Sequence, residues 1–248
     1  MELDPKAIIG GSLKLAERVG DEAYFAALCI RSGLVGIERP SKVARMLLVF
    51  ERYGMLGGAV ATAAIRNGDR VAVIDERGEL TYRELDEHAN ALANAWRQEG
   101  LKAGEGVAIL VRNHRGFLEA LFAAAKCGAR IILLNTSFAG PQIREVASRE
   151  GTDLLVYDEE YADTLEGVDP PHGRYRAWAD SPGEDTLDAL IESGDSSGPP
   201  KPEKGARITI LTSGTTGTPK GAPRDEPRSL GIIGGLLSKV PFLSLIHI

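Results

Sequence analysis

The sequence is poor in cysteine and in aromatic residues. Its 248 residues include only two cysteines, Cys29 and Cys127, and neither has a histidine at the spacing of metal ligands. A metal site built on cysteine is therefore not expected. Cys127 lies in an apolar stretch and is predicted to pack in the core. Low cysteine usage is typical of the reducing cytoplasm, which is the predicted localisation.

The chain also lacks a concentrated basic patch. Lys and Arg total 29 against 35 Asp and Glu, a net charge of -6, and no run of basic residues stands out. A nucleic-acid surface needs clustered positive charge, so no nucleic-acid partner is expected.

Signal and membrane-spanning segments are not expected either. The N-terminus has neither the basic start nor the apolar run of a signal peptide. Residues 53–65 are apolar but too short to cross a bilayer, and residues 229–248 are predicted to be buried rather than spanning. The helical first sixty residues could make peripheral membrane contact, although no strongly basic amphipathic face supports it.

What the chain does contain is a regular alternation of strand and helix patterns. Strands are predicted at residues 71–74, 80–82, 107–111, 131–134, 153–157 and 207–211. Helices are predicted after the capping pair Thr81 and Glu84, after Asn113 and His114, and from Pro141. Because these strands lack polar alternation and helices lie between them, the pattern indicates a parallel sheet in a layered α/β fold.

Two details of this pattern bear on the site. The second helix is predicted to carry its apolar side on Phe117, Leu118, Leu121, Phe122 and Ala125. His114 stands near a strand end, where a base could lie, but a helix-start or packing role is favoured. The string Gly194 to Gly198 satisfies Gly-x-Ser-x-Gly, yet it lies in a Pro-rich stretch without the strand and helix that a nucleophile elbow requires.

One segment carries the chemistry. It directly follows the last predicted strand and consists of Thr212, Ser213, Gly214, Thr215, Thr216, Gly217, Thr218, Pro219, Lys220 and Gly221. Glycines let several backbone N–H groups converge on one anion, hydroxyls add donors, and a lysine supplies positive charge. The composition suits a polyphosphate, and the alternative is a polar surface turn. The spacing differs from that of a Walker A loop.

This segment resembles the phosphate-binding loop of the adenylate-forming superfamily, whose pattern is Thr-Ser-Gly-Thr-Thr-Gly-x-Pro-Lys-Gly. Residues 80–85 resemble the family's early Thr-Tyr-x-Glu-Leu segment. Residues 112–136 with 138–142 look most like bacterial fatty-acyl-CoA synthetases. The resemblance implies layered αβαβ subdomains and activation of a carboxylic acid with ATP to acyl-AMP and pyrophosphate. It also implies Mg²⁺, and coenzyme A as the thiol that then forms acyl-CoA. A fatty acid is the expected small-molecule partner.

The predicted organisation follows from these observations. Residues 1–65 form a helical segment, 66–193 an α/β subdomain with the parallel sheet, 194–205 a linker, and 206–248 the start of an ATP-binding subdomain. The family's catalytic residues have no counterpart here, so we expect an N-terminal fragment that is inactive and aggregation-prone alone, with a foreign-looking end at residues 243–248. A peptide-synthetase adenylation domain, an aryl-CoA ligase and a non-catalytic ATP-binding module remain alternatives.

Overall fold

A six-stranded sheet forms the centre of the computed structural model, which describes Tyr24, residues 38–212 and residues 220–224. Residues Ser41–Glu226 form one compact unit. Its strands are β1 (Val71–Asp75), β2 (Gly78–Thr81), β3 (Gly106–Leu110), β4 (Arg130–Leu133), β5 (Leu154–Asp158), β6 (Arg174–Trp178), β7 (Arg207–Thr212) and β8 (Lys220–Arg224). Its helices are α1 (Pro40–Asn67), α2 (Tyr82–Gln98), α3 (Arg115–Lys126), α4 (Gly140–Glu150) and α5 (Leu187–Ser193), with 3₁₀ turns at Glu159–Tyr161 and Asp163–Leu165.

The strand order in the sheet is β6-β5-β3-β4-β7-β8. Strands β3 to β7 run parallel, and β8 is antiparallel to β7. The hairpin of β1 and β2 forms a separate two-stranded sheet. The predicted parallel sheet is therefore confirmed. Chain order reverses at β3, which has β4 on one side and β5 on the other.

Helices cover both faces of this sheet. Along β3 and β4, Val107, Ile109 and Ile131 pack in one cluster with residues of α2 and α3, whereas Ala108 and Ile132 pack in another with α4. Neighbouring side chains of a strand point to opposite faces, so a strand between two helical layers must be apolar throughout. This explains the continuous apolar runs in the sequence.

The fully buried apolar positions of helix α3 are alanines rather than its large side chains. Its fully buried positions include Ala120, Ala123 and Ala124, while the predicted apolar side at Phe117, Leu118, Leu121 and Phe122 is only half-buried. Of the five residues predicted for that side, only Ala125 is fully buried. Alanine adds little width, so the backbone of α3 can lie close to the strands.

Local signals set the ends of α2. The Thr81 hydroxyl accepts from the Glu84 N–H at 3.3 Å, and the Glu84 carboxylate accepts from the Thr81 N–H at 2.7 Å. These contacts confirm the predicted capping box and hold the pKa of Glu84 below its usual value. Tyr82 begins the helix instead of ending the strand, because the cap fixes the first helical residue directly after Thr81.

The segment predicted as a linker, residues 194–205, is bound to the helical layer, and we call it the strap. Five consecutive backbone carbonyls, from residue 195 to 199, accept hydrogen bonds from side chains of α1 and α2. On α2, Asn94 donates to the carbonyls of residues 195 and 197, and Asn90 donates to that of residue 196. On α1, Arg52 donates to the carbonyl of residue 198 and Tyr53 to that of residue 199, and all five distances lie between 2.8 and 3.2 Å. The predicted domain division stays a prediction, although strands on both sides of the strap share one sheet.

A buried lysine joins three helices near the strap. The Lys126 side chain of α3 has no exposed surface, and its ammonium donates to the carboxylate of Asp86 at 2.6 Å and to the amide oxygen of Asn90 at 2.5 Å, both on α2. It also lies 5.5 Å from the ring centroid of Tyr53 on α1. Burial lowers the pKa of Lys126, and the nearby Asp86 opposes this shift.

Among residues 38–212, no helix combines the length and apolar character needed to cross a bilayer. This holds for the helix that contains residues 53–65 as well. Residues 229–248 and Cys29 lie outside the described residues. Cys127 is buried as predicted, and burial raises the pKa of its thiol to about 12.

Candidate functional site

The carboxyl ends of the parallel strands meet at one edge of the sheet. Leu133 at the end of β4 pairs with Ile210 of β7, so the chain leaves β7 beside the segment that follows β4. In open α/β sheets, ligands bind outside this edge, near the strand at which chain order reverses. The predicted phosphate loop begins here, two strands away from β3.

The two ends of the predicted loop are paired. Thr212 at the end of β7 is opposite Lys220 at the start of β8, in an antiparallel register that continues to Arg224. Seven predicted site residues, Ser213, Gly214, Thr215, Thr216, Gly217, Thr218 and Pro219, lie outside the described residues. Strand pairing thus holds the ends of the segment together at the carboxyl edge, and its phosphate-binding role stays a prediction.

A cavity of about 810 Å³ lies at the same edge. Its polar lining comes from Glu76, Arg112, Asn113, His114, Asn135 and Thr136, and its apolar lining from Val111, Phe117, Leu134 and Trp178. These residues follow β3 and β4, end β6, or belong to the β1–β2 turn. The cavity therefore combines hydrogen-bonding side chains with apolar walls, as small-molecule sites do.

His114 at this cavity has both ring nitrogens engaged. Its Nδ1 accepts from the backbone N–H of Gly116 at 3.1 Å, which leaves the proton on Nε2, and Nε2 donates to Asp158 Oδ1 at 3.0 Å. The second carboxylate oxygen of Asp158 accepts from the Arg112 N–H at 2.8 Å. No ring nitrogen is left to accept a proton from a substrate. His114 is the N-cap of α3, in agreement with the favoured sequence reading.

Asp158 was missed by the sequence reading. It lies at the end of β5 and is 2% exposed. Its carboxylate binds the loop between β3 and α3 at two points, the backbone N–H of Arg112 and the ring of His114. A carboxylate at the carboxyl end of a predicted strand was the available signal. Its partners lie more than forty positions earlier in the chain, so only the sheet pairing brings them together.

The β1–β2 turn is fixed on both sides of Glu76. Asp75 accepts from both the side chain and the backbone N–H of Arg115, at 2.6 to 3.1 Å, and these hydrogen bonds hold the pKa of Asp75 well below its usual range. On the other side, the guanidinium of Arg77 lies 4.1 Å from the ring centroid of Trp178 and pairs with Asp188 at 2.7 Å. The turn that contains Glu76 is therefore held in place by contacts on both sides of this residue.

The segment after β4 completes the cavity wall. The side-chain oxygen of Asn135 accepts from the Ser137 N–H at 2.9 Å, which makes a tight turn directly after the strand. Thr136 forms a hydrogen bond with Tyr161, whose pKa is raised chiefly by burial. Within residues 38–212, no three His, Cys, Asp or Glu side chains are grouped closely enough to hold a metal ion.

Comparison with known proteins adds to this geometry. Residues 60–230 match the family model described as AMP-binding enzyme. The chain is 32% identical over 145 residues to the feruloyl-CoA synthase of an Amycolatopsis species, covering 58% of this chain and 28% of that protein. It is also 32% identical over 151 residues to the long-chain-fatty-acid–CoA ligase FadD13 of Mycobacterium tuberculosis, covering 57% and 29%.

A solved structure agrees in fold. The N-terminal domain of FACL13 from Mycobacterium tuberculosis superimposes with a TM-score of 0.59 at 27% identity, covering 68% of this chain and 44% of that one. The layered α/β architecture expected from the sequence is therefore confirmed. This chain spans less than a third of the length of the two curated relatives.

Proposed function

Since the chain belongs to the family of AMP-binding enzymes, we propose that it forms the polyphosphate-holding part of a carboxylate–CoA ligase. The observation that carries the proposal is the position of the segment from Thr212 to Lys220. Its ends are paired where β7 leaves the carboxyl edge of the sheet, beside the cavity wall that follows β4. Backbone N–H groups, hydroxyls and one lysine in such a closed loop make a suitable donor set for phosphate oxygens.

In the proposed reaction a carboxylate attacks the α-phosphate of ATP, acyl-AMP forms, and pyrophosphate leaves. The loop would hold the β- and γ-phosphates, with Lys220 balancing the negative charge that builds up on the leaving group. Mg²⁺, when bound to these phosphates, supplies further positive charge. Coenzyme A then displaces AMP through its thiol, which gives the acyl-CoA. We assign the loop a binding and charge-balancing role only.

For the acid, we propose a fatty acid. The similarity of residues 112–136 to fatty-acyl-CoA synthetases and the match to a long-chain-fatty-acid–CoA ligase support this choice. An aryl acid is the second candidate, because the feruloyl-CoA synthase is equally similar, at 32% identity. We also infer a cytoplasmic location from the low cysteine usage.

Nucleotide binding tests the loop. The 248-residue chain should bind ATP in isothermal titration calorimetry, and Lys220→Ala should weaken binding by about tenfold or more, since a charge-assisted contact to phosphate is lost. Lys102→Ala is the matched control, because Lys102 is exposed before β3, at the opposite edge of the sheet. Equal affinities of the two variants would contradict the assignment.

Pyrophosphate exchange tests the reaction. Exchange between ATP and labelled pyrophosphate should depend on the added acid, and a panel of a long-chain fatty acid, ferulate and an amino acid separates the candidate branches. The assay applies to this chain and to any longer gene product that contains it, and we expect no exchange from this chain alone. ATP binding without exchange in a longer product would favour a non-catalytic nucleotide-binding module.

A further inference from the structure

The first half of α1 exposes an apolar stripe. Gly54, with a backbone φ of 72°, interrupts the helix and separates this half from the rest. Before the break, Val43 is 39% exposed, Leu47 64% and Leu48 65%, whereas Met46 and Tyr53 point inward and are buried. Leu47 stands one helical turn after Val43, and Leu48 lies 100° further round the same solvent-facing side, with the exposed Glu51 between the two leucines.

Basic side chains border this stripe. Arg45 and Arg52 are exposed, and the Lys42 ammonium donates to the Arg66 carbonyl at 3.1 Å. At 100° per residue, these three positions fall within about 80° of one another on the helix, next to Leu48. The one acidic residue of this half, Glu51, forms an ion pair with Lys201 of the strap. The stripe is therefore flanked by net positive charge on a chain whose total charge is -6.

We propose that this face of α1, made of Val43, Arg45, Leu47, Leu48 and Arg52, docks on the surface of an anionic lipid bilayer. Aliphatic residues beside arginines on one exposed helix face are the pattern of helices that lie in the plane of the interface. The leucines enter the boundary of the acyl chains, and the Arg45 guanidinium meets lipid phosphates. Arg52 adds positive charge beside it, while one of its N–H groups stays bonded to the carbonyl of residue 198. Charge complementarity selects an anionic bilayer over a neutral one.

The face was not visible from the sequence. Over the first sixty residues the basic and apolar positions are mixed, and no strongly basic amphipathic face emerges. It emerges once the helix starts at Pro40 and breaks at Gly54, since these limits fix which residues share a side. The face also precedes residue 60, where the match to the family model begins, so it belongs to a part of the chain outside that match.

Vesicle flotation with the 248-residue chain tests the proposal. Vesicles of phosphatidylcholine with about one third phosphatidylglycerol should carry the protein, pure phosphatidylcholine vesicles should carry several-fold less, and the difference should shrink as salt rises. Arg45→Ala should weaken binding to the anionic vesicles roughly fivefold. The double variant Leu47→Ser and Leu48→Ser should weaken it about tenfold or more, because both apolar anchors are removed.

The matched control is Ile74→Ser on β1. Ile74 is 73% exposed, so this variant removes an equally accessible aliphatic side chain from another surface, and its vesicle binding should equal that of the unmodified chain. Equal loss of binding in the control and the double variant would overturn the proposal, as would preference for neutral vesicles. Thermal melts and light scattering are run in parallel. A clear loss of stability in the double variant, or an oligomeric state lower than that of the unmodified chain, would overturn it too, because the face would then be covered by protein.

Discussion

Replacing Asp158 by asparagine should destabilise the fold, because the carboxylate accepts two hydrogen bonds that an amide cannot both accept. The donors are His114 Nε2 at 3.0 Å and the Arg112 N–H at 2.8 Å, one to each carboxylate oxygen. The amide of asparagine has one oxygen, so its NH₂ group must face one of these donors. His114 cannot help by moving its proton, since its Nδ1 already accepts from Gly116.

The magnitude follows from burial. Asp158 and His114 are 2% and 8% exposed, so the donor that loses its acceptor has little access to water. An unsatisfied buried donor costs about 1–3 kcal/mol, which for a chain of this size shifts the melting temperature by roughly 2–12 °C. We expect about 2 kcal/mol for Asp158→Asn, measured by urea unfolding with circular dichroism and with tryptophan fluorescence. Trp178 reports on the site directly, because its ring centroid lies 4.6 Å from that of His114.

The control is Asp169→Asn, since the Asp169 side chain is 84% exposed and its ion pair with Arg174 is long, at 3.8 Å. Loss of an exposed pair of this kind costs less than about 1 kcal/mol. If Asp158→Asn is no more destabilising than this control, the hydrogen-bond argument is wrong. A nitrogen NMR spectrum that places the His114 proton on Nδ1 would refute the assigned tautomer, and with it the account of the helix cap.

Three further predictions concern buried polar groups. Asp86→Ala should cost about 2–4 kcal/mol in urea unfolding, because it leaves the fully buried Lys126 ammonium with too few partners. Lys126→Met should cost less, since the Asp86 carboxylate that it leaves behind is partly exposed to water, and the reverse order would contradict this. In a Cys29→Ser background, the Cys127 thiol should resist Ellman's reagent at pH 8 until urea is added, because its pKa of about 12 leaves very little thiolate. Fast labelling of the folded chain would argue against burial of this thiol. The pKa of Asp75 is lowered in the fold, so the carboxylate stabilises the fold above the unfolded pKa of 3.8, and this stabilisation is lost as the pH falls below that value. The difference in unfolding free energy between the unmodified chain and Asp75→Asn should therefore narrow between about pH 5 and pH 2. A difference that stays constant over this range would contradict the prediction.

Features encoded by neighbouring residues could be predicted from the sequence. The capping box of Thr81 and Glu84 involves residues three apart, and the strands β3 to β5 are marked by continuous apolar runs. His114 was assigned to a helix start on local grounds, and it is the N-cap of α3. Such signals survive in the structure because they depend on backbone geometry within one turn or one strand.

Features that depend on distant partners could not be predicted. Lys126 lies in an apolar run, and nothing nearby in the sequence indicates that Asp86 and Asn90 receive its ammonium. The strap has the composition of a linker, but its order comes from distant side chains, 101 and 106 positions earlier on α2 and 146 positions earlier on α1. β6 and α5 lie in the weakly patterned stretch before the strap. β6 is a half-buried edge strand with two arginines among its five residues, so it carries no continuous apolar run, and α5 has only seven residues.

The bound strap also bears on the order in which the sheet is built. Ile208 of β7 pairs with Ile131 of β4, and joining strands so far apart in the chain would normally cost considerable loop entropy. Hydrogen bonds from Asn90 and Asn94 hold residues 195 and 196 of the strap against α2, and β7 starts at residue 207. Once the strap has docked on α2, only a short segment connects it to β7, so pairing β7 with β4 closes a short loop instead of a long one and costs less loop entropy. We therefore expect β7 to join the sheet late in folding, after the helical layer that holds the strap has formed.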